Sequence, residues 1–511
     1  MKRLKLFFSK TIILVFSVLL QITAFIVILL KYREYLLIFY FISYVISFIT
    51  VLWIVNNRMN PGFKIAWLIM ILAFPFFGII IYLLYGGKNN SKKMHRKLDV
   101  IYIEMQKNFI DIQEEIILGL KKKDRYAFRQ SNYIKDNSLC PVYLNSVCTY
   151  YSSGEVAYHV IMEELKKAKE FIFLEYFIIE EGVFWNSILE LLLVKVQSGV
   201  EVRLIYDDVG SLFTLPRRYD KRLEALGIRC KIFNPFIPII SAGFNNRDHR
   251  KILLVDGKTV FTGGINLADE YINAIEKYGY WKDSILKVEG DAVWSFTVMF
   301  LSAWNYLNKS SEDATPFRKY THFSEDAKPS GYVQPYADTP LDNESVSETV
   351  YMNLINLATD YIYITTPYLI IDNEMITALC NAAKSGVDVR IITPRIPDKR
   401  LIHMMTRSFY PLLLECGVKI YEFTPGFMHS KSFVVDDIYG VVGSVNLDYR
   451  SLYLHFECGV WMYRTDCIMK IKEDFLDTLT ISDQIPNEKG KKKGWFIRLA
   501  STVMRIFAPF L

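Results

Sequence analysis

The 511-residue chain repeats itself once, and that duplication limits its fold more than any other feature. Met162-Glu-Glu-Leu-Lys-Lys-Ala168 runs into the apolar stretch Phe171-Ile-Phe-Leu174. Met352-Asn-Leu-Ile-Asn-Leu-Ala358, 190 residues on, runs into Tyr361-Ile-Tyr-Ile364. Gly199-Val-Glu-Val-Arg203 returns as Gly386-Val-Asp-Val-Arg390, and Gly227-Ile-Arg229 returns as Gly417-Val-Lys419. A period of this length is far too long for a solenoid and marks a duplicated domain. Each copy reads helix, apolar strand, helix, strand, helix, strand, then a strand pair. That alternation predicts an α/β sandwich in each half. Two copies in one chain pack naturally about a pseudo-two-fold axis.

The duplication carries a motif. His249-Arg-Lys251-Ile-Leu-Leu-Val-Asp256 is followed by Gly263-Gly264-Ile-Asn266, and His429-Ser-Lys431-Ser-Phe-Val-Val-Asp436 by Gly443-Ser444-Val-Asn446. Both copies read HxKxxxxD, with G-[GS]-x-N beginning 14 residues after the His. Identical internal spacing in two repeats is not chance. His and Lys at i and i+2 are expected on one face of a strand. Asp256 precedes a Gly257-Lys258 turn, beyond that face. It and Asp436 stay among the catalytic candidates, with a structural role as the alternative.

The residue types suggest the chemistry. Two lysines supply fixed positive charge and two asparagines neutral donors, a set that suits the oxygens of one phosphoryl group. A neutral imidazole is a nucleophile near pH 7, and a second one can serve as acid. In-line displacement needs attacking and leaving groups on opposite sides of phosphorus, and a two-fold axis through the phosphate would provide that. No acidic cluster accompanies the motif, so a covalent phosphohistidine route with no metal and no cofactor is expected. His95, His159, His322 and His403 have no motif context. His455 lies two residues before Glu457, where strand alternation could bring it near the site, but it stands outside the candidate set.

The other end of the chain is apolar. Residues 11–30 and 35–55 carry no charge, and each is long enough to cross a bilayer. A third apolar stretch, 65–85, is interrupted by Pro75 and Gly78. Lys2, Arg3, Lys5 and Lys10 precede the first stretch, and Lys88, Lys92, Lys93, Arg96 and Lys97 follow the third. Basic residues mark cytoplasmic ends, so an even number of crossings is favoured. That gives two spans and a re-entrant or interfacial third segment, with the alternative of a true third span. Leu98, Ile101, Met105, Phe109, Ile112, Ile116 and Leu120 lie on one helical face. Lys491-Lys492-Lys493 followed by Trp495, Phe496, Leu499, Val503, Ile506 and Phe507 suits an anionic membrane surface, or a helix packed on the body. With 51% hydrophobic residues the chain is too apolar for an ordinary soluble enzyme, and seven scattered cysteines without a CxxC give no disulfide framework or zinc site. The expected division is 1–90 membrane anchor, 91–135 linker helix, 136–325 first repeat, 326–485 second repeat and 486–511 basic amphipathic tail.

At these motifs the chain resembles the phospholipase D superfamily, and more closely the bacterial cardiolipin synthases. Ala66-Trp67-Leu68 through Pro75 to Tyr85-Gly86, Trp281-Lys282-Asp283, Thr366-Pro367-Tyr368, Asn446-Leu-Asp448-Tyr-Arg450-Ser451 and Phe456-Glu457 also carry the resemblance. It implies an enzyme that joins two phosphatidylglycerols into cardiolipin and releases glycerol, without nucleotide or metal, at the inner face of a bacterial cell membrane. It implies His249 as nucleophile, His429 as general acid and then base, and Lys251 and Lys431 on the phosphate, while the near-symmetry of the two motifs leaves open which histidine takes which role. Asn266, Asn446, Gly264 and Ser444 are expected to bind or shape the site. Glu457 is expected to orient His429, and Asp283 to orient His249. The implied partners are phosphatidylglycerol, cardiolipin and an anionic membrane surface, with no nucleic acid. A phospholipase D using water, a nuclease of the same superfamily and a non-catalytic scaffold are the competing readings.

Overall fold

The computed structural model describes residues 23, 27, 35–86, 107–109, 114–235, 246–319, 328–342, 344–487 and 495–510. These fall into two compact units, an apolar helical one made of the described residues up to 86 together with Phe510, and an α/β one made of the others from residue 107 on.

In the helical unit, Leu36–Asn56 forms one uncharged helix. Its stretch Leu37–Asn56 is long and apolar enough to cross a membrane. Asn60 caps the next helix, Pro61–Ala73, by accepting from Gly62 N at 2.9 Å. That helix stops at Phe74 because Pro75 disfavours helical geometry in the residue before it. A short helix, Pro75–Ile81, follows. Gly78 packs so closely on the preceding helix that a Cβ there would stand 2.6 Å from Ile71 Cα. Thirteen helical residues reach only about 20 Å, short of the ~30 Å hydrocarbon core. The segment 65–85 is therefore a broken helix. Among the described residues one span is found, which does not support the expected multi-pass arrangement. Apart from Thr23 and Val27, the expected span 11–30 lies outside the described residues. So do the basic flanks at 2–10 and 88–97, the run 491–493 and most of the linker face. Of the linker, residues 107–109 and the helix Glu114–Lys123 are described, and Asp124 then caps a second helix, Arg125–Ser138.

The α/β unit holds both repeats. The first supplies β1 (Ser146–Tyr151), β2 (Phe171–Tyr176), β3 (Glu201–Asp207), β4 (Arg229–Phe233), β5 (Arg247–Asp248), β6 (Ile252–Val255), β7 (Thr259–Gly263), β8 (Tyr280–Lys282) and β9 (Ile285–Gly290). The second supplies β10 (Tyr332–Asp338), β11 (Tyr361–Thr365), β12 (Leu369–Ile370), β13 (Asp388–Pro394), β14 (Lys419–Phe423), β15 (Gly426–Met428), β16 (Ser432–Val435), β17 (Tyr439–Gly443), β18 (Leu447–Asp448), β19 (His455–Tyr463) and β20 (Ser482–Gln484). The first sheet runs β1-β9-β7-β6-β2-β3-β4, and the second runs β10-β19-β17-β16-β11-β13-β14 with β20 added at the edge. The two orders correspond strand for strand, so the duplication holds at the level of topology. In each sheet the strand after the first crossover helix is parallel to its neighbour, and the motif strand is antiparallel to it.

The central strands are apolar on both faces because both faces are covered. Phe171 and Phe173 join one core, and Ile172 and Leu174 the other. The core containing Phe173 also takes Val434, Val442 and Val460 from the second repeat. It closes around Phe296 and Phe300 of the buried helix Val293–Asn308. The two repeats thus share one interior.

Two short ladders join the repeats. β5 pairs in parallel with β19, and β8 pairs in parallel with β15. Each ends at a motif histidine, since His249 N donates to Phe456 O at 2.9 Å and His429 N donates to Lys282 O at 2.7 Å.

Candidate active site

Both motif histidines lie in irregular stretches just before β6 and β16, not within the strands as the i, i+2 spacing predicts. The reason is the ladders. The residues before each His pair with the opposite repeat, and the chain must turn before entering its own sheet.

Those same ladders choose the partner of each imidazole. His249 Nδ1 faces Glu457 at 2.9 and 3.1 Å, and His429 Nδ1 faces Asp283 Oδ2 at 2.6 Å. The expected pairing is therefore reversed, and each imidazole is held by a carboxylate from the other repeat. All four side chains are buried. An ionised carboxylate only accepts, so each Nδ1 carries a proton and each Nε2 is left for chemistry, as a lone pair in the neutral ring or as a donor in the imidazolium.

The residue beneath each carboxylate differs between the copies. A Cβ on Gly264 would stand 2.0 Å from Asp283 Oδ1, so only glycine leaves Asp283 its place. At the equivalent position Ser444 Oγ donates to Glu457 Oε2. Ser284 N donates to Asp283 Oδ1 at 2.8 Å.

The lysines are buried as well. Lys251 Nζ donates to His249 O at 2.5 Å, and Lys431 Nζ donates to His429 O. An ammonium has three donors, so each can still offer two to an anion. Burial pushes both lysines down against the pull of nearby carboxylates, Glu457 on Lys251 and Asp283 on Lys431, and Lys431 lowers Lys251 further. Lys251 is lowered to about 7 and Lys431 to about 8. His429 is lowered to about 4 by burial and by Lys431, against the pull of Asp283. His249 falls well below its ordinary value through burial, Lys251, Lys431 and His429. Asp283 is held low despite its burial, because His429 and Lys431 face it. Groups of one repeat perturb those of the other in both directions, as members of one shared pocket do. Such a cluster of buried lysines and imidazoles can chemically hold an anion.

The remaining candidates divide. Asn266 is buried, with Oδ1 accepting from Ile178 N at 3.1 Å and Nδ2 donating to Tyr271 Oη at 2.8 Å. Tyr271 in turn lies with its ring 5.3 Å from that of His429. Asn446 is buried with an unpartnered Oδ1. Both asparagines follow the ends of β7 and β17 and do not lie on those strands.

Asp256 and Asp436 do not belong to the site. Asp256 accepts from the backbone N–H groups of Lys169, Glu170 and Phe171 at 2.8, 2.8 and 2.9 Å. Asp436 accepts in the same way from Thr359, Asp360 and Tyr361. Each lies beyond the far end of its motif strand, at φ of 52° and 53°, and ties the start of the neighbouring strand. The catalytic expectation for these two residues is corrected accordingly.

Sequence reasoning missed the aromatic walls. The Phe177 ring lies 5.0 Å from that of His249, and the Trp281 ring 5.2 Å from that of His429. No spacing pattern marks Phe177 or Tyr271. His455 also stands at the site, with its ring 5.5 Å from that of His249. Ligand atoms of His249, His455 and Glu457 lie within 4.8 Å of one another, a spacing that could hold a metal ion. The neighbouring lysines and Arg450 oppose a metal cation there.

Comparison with known proteins agrees with this geometry. The family described as cardiolipin synthase, PLD-like domain, matches residues 161–278 and 351–479, and the phospholipase D-nuclease N-terminal family matches 45–87. A cardiolipin synthase of Alkalihalophilus pseudofirmus is 34% identical over 476 residues, 91% of this chain and 92% of its own length. Cardiolipin synthase 2 of Bacillus anthracis is 34% identical over 460 residues, 89% of this chain and 88% of its own. An uncharacterised protein of Streptococcus mutans is 46% identical over 90% of this chain and 99% of its own. Among solved structures, phosphatidylserine synthase of Haemophilus influenzae superposes with a TM-score of 0.56 at 14% identity, over 76% of this chain and all of its own, a likeness of fold. With two intact motifs and relatives matched along nearly its whole length, the chain belongs to the cardiolipin synthase family of phospholipase D-like enzymes.

Proposed function

We propose that this protein transfers a phosphatidyl group from one phosphatidylglycerol to another, giving cardiolipin and glycerol. The observation that carries the reading is the reciprocal pairing of the two imidazoles with Glu457 and Asp283 beside Lys251 and Lys431. His249 Nε2 attacks phosphorus and forms an N–P bond. The P–O bond to the headgroup glycerol breaks, and His429, which enters this step as the imidazolium, gives that oxygen its Nε2 proton and is left neutral. A terminal hydroxyl of the second phosphatidylglycerol then passes its proton to His429 and attacks phosphorus. The N–P bond breaks and cardiolipin leaves. The lysines balance the charge on the phosphoryl oxygens throughout. One phosphodiester replaces another, so the reaction is nearly thermoneutral and needs no nucleotide.

The helix Leu36–Asn56 anchors the protein in the cell membrane, which presents the site to a surface dense in lipid hydroxyls. The basic flanks in the sequence support one additional crossing at 11–30, with the catalytic body on the cytoplasmic side. Purified protein incubated with phosphatidylglycerol vesicles should yield cardiolipin and glycerol, and added glycerol should reverse the reaction. Phosphatidic acid as the main product, without a glycerol effect, would replace transfer by hydrolysis.

A further inference from the structure

We infer that His455 is a positioning residue for the Glu457–His249 pair, its Nδ1–H facing the carboxylate and limiting how strongly Glu457 draws a proton onto His249. This rests on the transfer chemistry proposed above and deepens it.

Geometry supports the inference at four points. His455 and Glu457 are two residues apart on β19, so they share a face of the strand. Arg450 Nε donates to His455 Nε2 at 3.4 Å. Arginine cannot accept, so in the neutral ring the proton sits on Nδ1. That Nδ1 is buried, has no hydrogen-bond partner and stands 3.8 Å from Glu457 Oε1, the oxygen that His249 Nδ1 approaches to 2.9 Å. Finally, the copies differ here. Two residues before Asp283 the chain has Trp281, so His429 has no equivalent imidazole beside its carboxylate.

Burial pushes His455 down to about 3, so it acts as a neutral dipole and not as a charge. The charged and titratable groups that face it are Arg450 from the helix Tyr449–Tyr453, Glu457 from its own strand and His249 from the motif turn. Lys251, Lys431 and His429 act on its neighbour His249. A carboxylate already met by Ser444 Oγ, and by a second N–H dipole, has less negative charge to offer the imidazolium form of His249. His249 is thereby kept as the neutral, attacking imidazole, and His429 is left as the one that carries the proton. The asymmetry at 455 and 281 assigns the two roles, which the near-identical motifs leave open.

The test is the pH profile of kcat/KM for glycerol release from phosphatidylglycerol vesicles, for wild type, His455→Phe and His455→Gln. His455→Phe keeps a ring but removes the donor. It should move the acid limb up by about half a unit to one unit, because His249 then protonates more readily. His455→Gln restores an N–H and should bring the limb back. Arg450→Gln releases the tautomer and should shift the limb in the same direction as His455→Phe, which decides the matter if His455→Phe does not fold. An unmoved limb in a His455→Phe protein of normal melting temperature would overturn the inference. Glycerol release is common to transfer and hydrolysis. Accumulation of phosphatidic acid would therefore remove the transfer reading and leave this one standing.

Discussion

The four acidic residues associated with the motifs do two different jobs. Asp256 ties three backbone N–H groups at the start of β2, and removing it leaves those donors without partners. Asp256→Ala should lower stability by about 2–3 kcal/mol, read as a fall in denaturation midpoint, while the folded fraction keeps its specific activity. Glu457→Gln should do the reverse, lowering activity by a factor of at least ~100 at a near-normal midpoint. The crossed pairing has its own signature. Glu457→Gln should move the Nδ1–H resonance of His249 and leave that of His429 in place, and Asp283→Asn should do the opposite. The lysines give a pH dependence. An anion needs them as ammonium groups, and burial lowers them to about 7 and about 8. Affinity for a soluble phosphodiester, whose own charge is constant, should be greatest below pH 7 and fall as pH rises through 7 to 8. Competition against lipid turnover measures it, and an affinity rising across that range would contradict the buried-lysine account.

At the scale of elements, the sequence made the strands and the duplication legible, because a strand buried on both faces must be apolar throughout. Phe171 to Leu174 shows this in β2. The site residues His249, Lys251, His429 and Lys431 were legible from spacing alone. Their partners were not, because β5–β19 and β8–β15 form between residues some 150 to 200 positions apart, and no local pattern records a register between repeats. The same ladders pulled the histidines out of their expected strands. Pro75 was visible as an interruption, but only the paired helices show that Gly78 lets one pack on the other. Gly264 shows how backbone and site meet. Gly264→Ala would force its Cβ against Asp283 Oδ1, so turnover should fall by more than about tenfold while the sheet persists. Normal kinetics in that variant would mean that Asp283 can hold His429 from another position.

For the whole molecule, the site is a property of the pair of repeats and not of either one. Each repeat supplies a nucleophile-type side chain to one half of the pocket and a carboxylate to the other. His249→Ala and His429→Ala should each reduce turnover by a factor of at least ~1000. Mixing the two purified variants should restore nothing, since the ladders close within one chain. Recovery on mixing would show that the pocket assembles between molecules. The reciprocal exchange also carries a historical implication. A single ancestral unit with this geometry would have been idle alone and competent only as a symmetric pair, each copy completing its twin. Joining the two in one gene removed the requirement for identity. From then on Gly264 could drift from Ser444, and Trp281 from His455, and two interchangeable halves could become specialists.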